Sequence, residues 1–412
     1  MGVGIEAMNA YGGRAFVDVR GLFQARGLNL ERFDNLMMEK KAVALPWEDV
    51  ITNAVNAAAP LVRSLPAEDR ARIELVITAT ESGIDFAKST STYIHHHLEL
   101  PRNCRVFEVK QACYGGMAAL QMALGFVASG ASPGAKALVI ASDEARAGAR
   151  NTYYEPSQGT GAVAMLVSAS PQVLAMDLGA NGYASFEVMD AYRPQPALEA
   201  GDPDLSLLSY LECLQNSFTA YSERVEDADF QRSFDYLAFH TPFAGMVKGA
   251  HRKMMRSFGG SGLSQLTIDE DFKRRLGPAL PYCQAVGNFY SGTVFLALAG
   301  LFDQAPLSEF QRVGIFSYGS GCSSEFCSGV FTPQARRVQA RFGIGAALAA
   351  RHALSMNEYE AILDCAGQMG FGTRDLEVPI AGFGRIYERC FAGQGLLRLE
   401  RVKNFHREYA WT

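Results

Sequence analysis

Apolar runs of strand length alternate along this 412-residue chain with longer stretches in which apolar residues recur at helical spacing. The runs at residues 15–19, 75–78, 137–142, 162–167, 173–178, 236–239 and 313–317 predict strands. The spacing at residues 47–62, 118–129 and 208–225 predicts helices. Because strands and helices take turns, the pattern predicts an α/β protein with a largely central sheet.

One cysteine stands where an apolar run gives way to small residues and then to a helical pattern. Cys113 follows the run that ends at Val109, and apolar residues from Met117 to Val127 recur at helical spacing. This order predicts a thiol in a turn from a strand to a helix. Unpaired amides and the positive end of the helix dipole stabilise a thiolate at such a position. Cys113 is therefore a candidate nucleophile, whereas the alternative is a buried structural cysteine.

Three further polar residues follow apolar runs that are typical of strands. These are Glu81 after residues 75–78, His240 after residues 236–239, and Asn288 after a short apolar run. The carboxyl ends of strands in an open α/β sheet line the crevice where ligands bind. Singly, the three residues have structural alternatives as a helix cap, a core imidazole and a turn residue. Together with Cys113 they predict a crevice that holds a nucleophile, a base, an acid and an orienting amide.

The segments around these residues resemble the 3-hydroxy-3-methylglutaryl-coenzyme A synthases of the thiolase superfamily. The similar motifs are ATESGID (79–85), KQACYGG (110–116), FHTPF (239–243), GNFYSG (287–292) and SYGSG (317–321). They occur in the family's order and at similar spacing, over most of the chain. The segments VGIEAMNAYGG (3–13) and MEKKAVALP (38–46) look more like the branch found in polyketide gene clusters. That branch installs β-carbon branches on chains held by acyl carrier proteins (ACPs).

The resemblance implies a duplicated thiolase-like fold with five layers in the order α-β-α-β-α. Two halves of similar element order fit this fold, with the break near residues 168–171. We therefore expect an N-terminal half at residues 1–169, which carries the base and the nucleophile, and a C-terminal half at residues 170–412, which carries the histidine and asparagine loops. We also expect a homodimer, because thiolase-like proteins pair through a sheet edge that is otherwise exposed.

The resemblance also implies a reaction. Cys113 takes an acetyl group as a thioester, Glu81 removes a proton from its methyl group, and His240 polarises and protonates the β-ketone of the acceptor. Backbone amides of Cys113 and Ser320 hold the enolate oxygen, and hydrolysis then frees a 3-carboxymethyl-3-hydroxyacyl product. The residues assigned to substrate binding are Asn288, Tyr290, Gly319, Ser320 and Lys248.

The substrates implied are acetyl-ACP as the donor and a 3-oxoacyl-ACP as the acceptor. No cofactor is expected, because the phosphopantetheine group arrives on the carrier-protein substrate. Arg252, Lys253 and Arg256 cluster after the histidine segment. Such a cluster is either a solvated helix face or a docking site for an acidic carrier-protein helix, and we predict docking.

Composition argues against several other classes of function. The net charge of −5 argues against a nucleic-acid partner, and no segment has the apolar length that spans a bilayer. The eight cysteines are scattered, which is not typical of a disulfide framework or a zinc site. His95, His96 and His97 do not predict a metal site, because adjacent helical side chains point about 100° apart. No export signal is visible at the start, so we expect a cytoplasmic enzyme without a metal.

Three alternatives stay open. The mevalonate-pathway hydroxymethylglutaryl-CoA synthase shares the catalytic motifs and differs in using coenzyme A rather than a protein to carry the acyl groups. A ketoacyl synthase of the same superfamily also uses cysteine, histidine and asparagine, but it needs no carboxylate at the position of Glu81. A catalytically silent thiolase-fold partner would not need the full set of four residues.

Overall fold

The computed structural model describes residues 2–145, 147–195, 198–260, 262–307, 310–366 and 370–412. The strands are β1 (Gly4–Tyr11), β2 (Ala15–Asp18), β3 (Lys40–Val43), β4 (Ile73–Ala79), β5 (Arg105–Val109), β6 (Lys136–Glu144), β7 (Thr160–Ser168), β8 (Leu174–Ser185), β9 (Ala191–Gln195), β10 (Leu198–Gly201), β11 (Tyr236–Phe239), β12 (Arg312–Gly319), β13 (Ser323–Phe331), β14 (His352–Ala353), β15 (Leu376–Glu377), β16 (Leu397–Lys403) and β17 (His406–Trp411). The helices are α1 (Val19–Arg26), α2 (Leu30–Leu36), α3 (Val50–Arg63), α4 (Ala67–Arg70), α5 (Thr90–His97), α6 (Gly115–Ala128), α7 (Pro203–Arg224), α8 (Ala244–Phe258), α9 (Gln265–Arg275), α10 (Leu280–Val286), α11 (Thr293–Gln304), α12 (Ala335–Ala340), α13 (Ile344–Ala349), α14 (Met356–Ala366) and α15 (Gly384–Cys390). Short 3₁₀ turns lie at Ala147–Ala149, Gly277–Ala279, Tyr290–Gly292 and Ile380–Phe383.

Nine of the described strands form one mixed sheet in the order β11-β12-β13-β8-β1-β7-β6-β4-β5. β4 runs parallel to both of its neighbours, β5 and β6, and β11 runs parallel to β12. The remaining pairs of the sheet are antiparallel. Apart from the apolar run before Asn288, each strand and each helix predicted from the apolar pattern overlaps an observed element of the same type, so the α/β prediction is confirmed.

Strands β1 and β8 share a short stretch of pairing in the sheet. Only Gly4 with Ala175 and Ile5 with Leu174 are paired there. A Cβ on Gly4 would lie 2.1 Å from the carbonyl oxygen of Leu174, so glycine is required for this close approach. The predicted boundary after residue 169 falls in the connection from β7 to β8, and the division into two domains stays a prediction.

Helices α3 and α11 are buried on almost every side. α3 begins at Asp49, whose carboxylate accepts hydrogen bonds from the amides of Ile51 (3.0 Å) and Thr52 (2.9 Å). α3 packs against β1, β6 and β7, and α11 packs against β1, β11 and β12. Their apolar surfaces therefore fill the core rather than face solvent. Within the described ranges, no helix combines the length and the apolar character needed to cross a membrane.

Two segments differ from their predicted structure. The apolar residues before Asn288 form helix α10 rather than a strand, because Pro281 lies at its first turn and the apolar residues bury one helical face. The polar stretch at residues 190–204, which predicted no regular element, contains the antiparallel pair β9 and β10. Tyr192 pairs with Ala200 in this hairpin, and both of its strands supply residues to the site described next.

Candidate active site

A cavity lies where four strands of the central sheet end. The segments that follow β4, β5, β11 and β12 carry Glu81, Cys113, His240 and Ser320, respectively. All four residues line one cavity of about 150 Å³, together with Asn288. The structure therefore brings together the side chains that the sequence assigned to nucleophile, base, acid and orienting amide.

Cys113 lies in the turn between β5 and α6, as the sequence predicted. The amide of Tyr114 donates to the carbonyl of Gln111 (3.1 Å), and Ala112 adopts a positive φ of 43°. The turn leaves Cys113 8% exposed, with its sulfur 3.6 Å from Oε1 of Glu81. This contact is a hydrogen bond from the thiol to the carboxyl group.

The expectation that the helix start favours the thiolate is wrong for this site. Burial raises the pKa of the Cys113 thiol well above its usual value, and the negative charge of Glu81 raises it further. Both effects act against the partial positive charge of the helix start. The resting nucleophile is therefore a thiol, and its proton must move to a base when the sulfur attacks.

Glu81 is a half-buried carboxyl group in the wall of the cavity. Removal of water raises its pKa, Arg193 lowers it, and the nearby carboxyl groups of Asp143 and Glu199 raise it again. The balance leaves the pKa of Glu81 above its ordinary value. A carboxylate with a raised pKa is a stronger base, which suits the removal of a proton from an acetyl methyl group.

A buried aspartate ties two of the loops around the cavity together. Oδ1 of Asp143 accepts hydrogen bonds from the amide of Glu81 (2.8 Å) and from the amide (3.1 Å) and hydroxyl (2.9 Å) of Ser82. Its Oδ2 accepts from the amide of Ser291 (3.2 Å), in the loop that carries Asn288. The sequence analysis missed Asp143, although an acidic residue directly after the predicted strand at 137–142 was a usable signal.

His240 presents a neutral imidazole to the cavity. Its backbone is fixed, because its amide donates to Phe316 (2.8 Å) and its carbonyl accepts from the hydroxyl of Tyr210 (2.8 Å). Burial lowers the pKa of the 1% exposed side chain to about 3. In the described part of the chain, Nδ1 has no hydrogen-bond partner, so this nitrogen is available to a ligand.

Asn288 is oriented by its own loop. Its Oδ1 accepts from the amide of Tyr290 (2.9 Å) and from the hydroxyl of Thr293 (2.9 Å). These bonds occupy the oxygen end of the amide, so the NH₂ group is the end that can meet a ligand. Tyr290 also lines the cavity, where its hydroxyl donates to Glu199 (3.1 Å).

The other residues assigned to substrate binding differ in position. Ser320 lines the cavity, whereas Gly319 and Lys248 do not. A Cβ on Gly319 would lie 2.6 Å from the backbone nitrogen of Tyr114, so glycine lets the end of β12 approach the nucleophile turn. The ammonium of Lys248 lies 3.9 Å from Asp269. Direct roles for Gly319 and Lys248 in substrate binding stay predictions.

The cavity also contains an ion pair that the sequence analysis missed. Arg193 of β9 and Glu199 of β10 line the wall beside Glu81, and Nη2 of Arg193 lies 3.2 Å from Oε2 of Glu199. Both residues fall in the polar stretch that predicted no regular structure. Without a periodic pattern, the sequence held no signal that this stretch folds back over the site.

The helix behind the nucleophile is joined to the distant part of the sheet by one carboxyl group. Glu325 of β13 accepts hydrogen bonds from the hydroxyl of Tyr114 (2.9 Å) and from the side-chain amide of Gln121 (2.7 Å). Glu325 is 1% exposed, and burial raises its pKa to about 7. Both donors belong to the start or the body of α6, so the helix is held at two points.

The predicted docking residues lie in the second half of α8. Met246, near the start of this helix, lines the cavity, and Arg252 lies about 9 Å further along the helix axis. Lys253 is partly exposed, and Arg256 is exposed and donates to Gln265 (3.1 Å). These three residues are outside the cavity, and a docking role for them stays a prediction.

The arrangement is suited to chemistry on thioesters. A thiol beside a carboxyl group can accept an acyl group, and the same carboxyl group then lies within reach of the acyl methyl carbon. A neutral imidazole on the same cavity can donate a hydrogen bond to a ketone oxygen. The fold and the site are therefore those expected of an acyltransferase.

Comparison with known proteins gives the family. The N-terminal and C-terminal domains of hydroxymethylglutaryl-coenzyme A synthase match residues 2–172 and 260–374. The chain is 51% identical to the polyketide biosynthesis 3-hydroxy-3-methylglutaryl-ACP synthase PksG of Bacillus subtilis, over 99% of both chains. It is 32% identical to the hydroxymethylglutaryl-CoA synthase of Enterococcus faecalis, over 88% of this chain and 91% of that protein.

A solved structure agrees with this assignment. The HMG synthase of the curacin biosynthetic pathway, in complex with apo donor-ACP, superposes with a TM-score of 0.96 at 53% identity and with full coverage of both chains. This chain belongs to the hydroxymethylglutaryl-CoA synthase family. The family and the thiolase-like α/β fold predicted from the sequence motifs are confirmed.

Proposed function

We propose that this protein is the condensing enzyme of polyketide β-branching, which adds an acetyl carbanion from acetyl-ACP to the β-ketone of a 3-oxoacyl-ACP. The observation that carries the proposal is the contact of 3.6 Å between the Cys113 thiol and the Glu81 carboxyl group, in a cavity shared with His240. The identity of 51% to a 3-hydroxy-3-methylglutaryl-ACP synthase supports the choice of carrier.

The first half-reaction transfers the acetyl group to the enzyme. The sulfur of Cys113 attacks the thioester carbonyl of acetyl-ACP, and its proton passes to Glu81 along the existing hydrogen bond. When the tetrahedral intermediate collapses, the phosphopantetheine thiolate leaves and takes up a proton. The products are acetyl-Cys113 and the free thiol of the carrier protein, and Glu81 is again a carboxylate.

The second half-reaction forms the carbon–carbon bond. Glu81 removes a proton from the methyl group of acetyl-Cys113, and the backbone amides of Cys113 and Ser320 stabilise the enolate oxygen. The enolate carbon attacks the β-ketone of the acceptor, and an N–H of the neutral His240 imidazole donates a hydrogen bond to the developing alkoxide. The alkoxide takes up one proton, which balances the proton that Glu81 removed from the methyl group, so that His240 stays neutral and Glu81 is again a carboxylate. Water then cleaves the bond to Cys113, which restores the thiol and leaves a new carboxylate on the product.

One experiment can decide whether the acyl groups arrive on an acyl carrier protein or on coenzyme A. We expect kcat/KM for acetyl-ACP with a 3-oxoacyl-ACP to exceed that for acetyl-CoA with acetoacetyl-CoA by roughly tenfold or more, the scale of electrostatically guided association. The candidate in second place is hydroxymethylglutaryl-CoA synthesis, which the 32% identity to the Enterococcus faecalis enzyme favours. Equal or better use of the coenzyme A thioesters would select that function.

Carrier docking gives a second measurable expectation. Replacing Arg252 and Lys253 together by glutamate should raise the apparent KM for acetyl-ACP by about tenfold at low salt, because charges at an interface rim act on encounter. Turnover of a small acetyl-pantetheine thioester should not change. The effect should shrink as salt screens the attraction.

The matched control for carrier docking reverses two neighbouring basic residues elsewhere. Arg336 and Arg337 are exposed on α12 and do not line the cavity. Their joint replacement by glutamate changes the net charge equally and should leave the KM for acetyl-ACP unchanged. An equal loss in both double variants, or an equal loss with the small thioester, would contradict docking on α8.

We further propose that the enzyme is a cytoplasmic homodimer that pairs through β5. β5 and β11 are the two edge strands of the central sheet, and β11 is buried whereas β5 is only partly covered. A free edge of this kind is a template for pairing with a second copy. Light scattering at micromolar concentration should give twice the chain mass of 44.8 kDa, and a monomer mass there would count against the dimer.

A further inference from the structure

Three carboxyl groups surround the region of the nucleophile, and one guanidinium lies among them. Asp143 accepts a hydrogen bond from the backbone amide of Glu81 (2.8 Å), and Glu199 lines the same cavity as Glu81. Arg193 contacts both sides, because its Nη1 donates to the carbonyl oxygen of Glu81 (3.4 Å) and its Nη2 lies 3.2 Å from Glu199. The side chain of Arg193 is 18% exposed.

The position of this guanidinium is fixed from two directions. Its central carbon lies 5.0 Å from the centre of the Tyr290 ring, which is a cation–π contact. Glu199, its ion-pair partner, accepts hydrogen bonds from the hydroxyl of Tyr290 (3.1 Å) and from the side-chain amide of Gln158 (2.5 Å). A charge held in place this way can act on a neighbouring group without first being reoriented.

We propose that Arg193 is a positioning residue for the condensation step, because its charge favours the carboxylate form of the Glu81 side chain, which removes the acetyl proton. The inference rests on the proposed function of Glu81 and adds to it. Without a nearby cation, a partly buried carboxyl group beside two other carboxyl groups would hold its proton to a still higher pH, and a smaller fraction of the enzyme would carry the base.

The charges that face Glu81 come from every element packed around it. The hairpin of β9 and β10 supplies Arg193 and Glu199, β6 supplies Asp143, and the turn before α6 supplies the Cys113 thiol. Arg193 is the cation of this set. Arg193 lowers the pKa of Glu81, and an opposite charge within about 4–6 Å shifts a carboxyl pKa by about 1–3 units.

The test compares three single-residue variants with the wild-type enzyme. Arg193→Gln removes the charge, Arg193→Lys keeps it, and Glu199→Gln removes a negative charge and frees Arg193 from its ion pair. Each variant is acetylated on Cys113 with acetyl-pantetheine. The rate at which the acetyl methyl group takes up deuterium from D₂O is then followed by mass spectrometry against pH.

Deuterium uptake reports the base alone, because no acceptor is needed. In Arg193→Gln the pH at half-maximal rate should rise by about 1–2 units, so that exchange at neutral pH falls by about tenfold or more and recovers in alkaline buffer. Arg193→Lys should keep most of the wild-type profile. Glu199→Gln should move the profile toward acid.

The pH profiles of Arg193→Gln and Glu199→Gln should shift in opposite directions, which distinguishes an effect of charge from structural damage to the β9–β10 hairpin. A loss in both Arg193→Gln and Glu199→Gln at every pH, without a shift of the profile, would show that the ion pair is structural and would overturn the proposal. An unchanged profile in Arg193→Gln would also overturn it. If the wild-type enzyme does not acetylate Cys113 at all, the proposed function itself fails, which is a different outcome.

Discussion

Replacing Cys113 by serine should abolish acetyl transfer and reduce overall turnover by about four to six orders of magnitude, the scale found when a catalytic nucleophile is removed. Serine keeps the size of the side chain and the turn, but its hydroxyl is a much weaker nucleophile than a thiol that shares its proton with Glu81. Intact-protein mass spectrometry after mixing with acetyl-ACP should show one added acetyl group on the wild-type chain and none on the variant.

Cys104 provides the matched control for this substitution. It is a half-buried thiol that does not line the cavity, and it is more exposed than Cys113. Cys104→Ser should be acetylated and should turn over like the wild-type enzyme. An acetyl group that persists on Cys113→Ser, mapped to another cysteine, would contradict the assignment of the nucleophile.

Replacing Glu81 by alanine should separate the two half-reactions. Condensation should fall by about three orders of magnitude or more, because the methyl proton then has no positioned base. Acetylation should slow but persist, because water can take the thiol proton in place of Glu81, and the loss of the carboxylate removes a negative charge that raises the pKa of Cys113. Mass spectrometry should therefore show acetyl-Cys113 accumulating while release of the condensed product nearly stops.

Two results would contradict this role of Glu81. Condensation at close to the wild-type rate would place the base elsewhere, and Asp143 would be the next carboxyl group to consider because it contacts the same loop. Loss of acetylation together with condensation would make Glu81 essential for the thiol step instead. A thermal unfolding curve of the variant that matches the wild type excludes general misfolding in either case.

The residues whose position at one cavity the sequence predicted share one property. Glu81, Cys113 and His240 each follow a strand, and residues after the carboxyl ends of strands are the ones expected to line a ligand crevice. β4 and β5 are parallel, whereas β11 runs in the opposite direction in the same sheet, so the position of His240 in the same cavity depends on the tertiary fold. The prediction was wrong for the segment before Asn288, because an apolar run of that length is equally compatible with a helix. Where the apolar pattern identified the strand correctly, the place of a polar residue after that strand was enough to predict its position at the cavity.

Other features depend on contacts that one sequence does not contain. Arg193 reaches the cavity only because β9 and β10 fold back over it, and their pairing joins residues in a stretch without apolar periodicity. The protonation state of Cys113 depends on burial and on a carboxyl group 32 positions earlier in the chain. The sequence prediction considered only the start of α6, and it therefore expected the pKa of Cys113 to be lowered rather than raised.

The two hydrogen bonds that Glu325 accepts from α6 bear on how the enzyme meets its substrates. They connect the helix behind the nucleophile to β13, which lies beside β12 and the segment that carries Ser320. The nucleophile and the groups contributed by the other side of the sheet are thus joined through protein, before any acyl chain arrives. A catalytic frame of this kind is preorganised, so the nucleophile turn and the segment that carries Ser320 hold their relative position before acetylation begins.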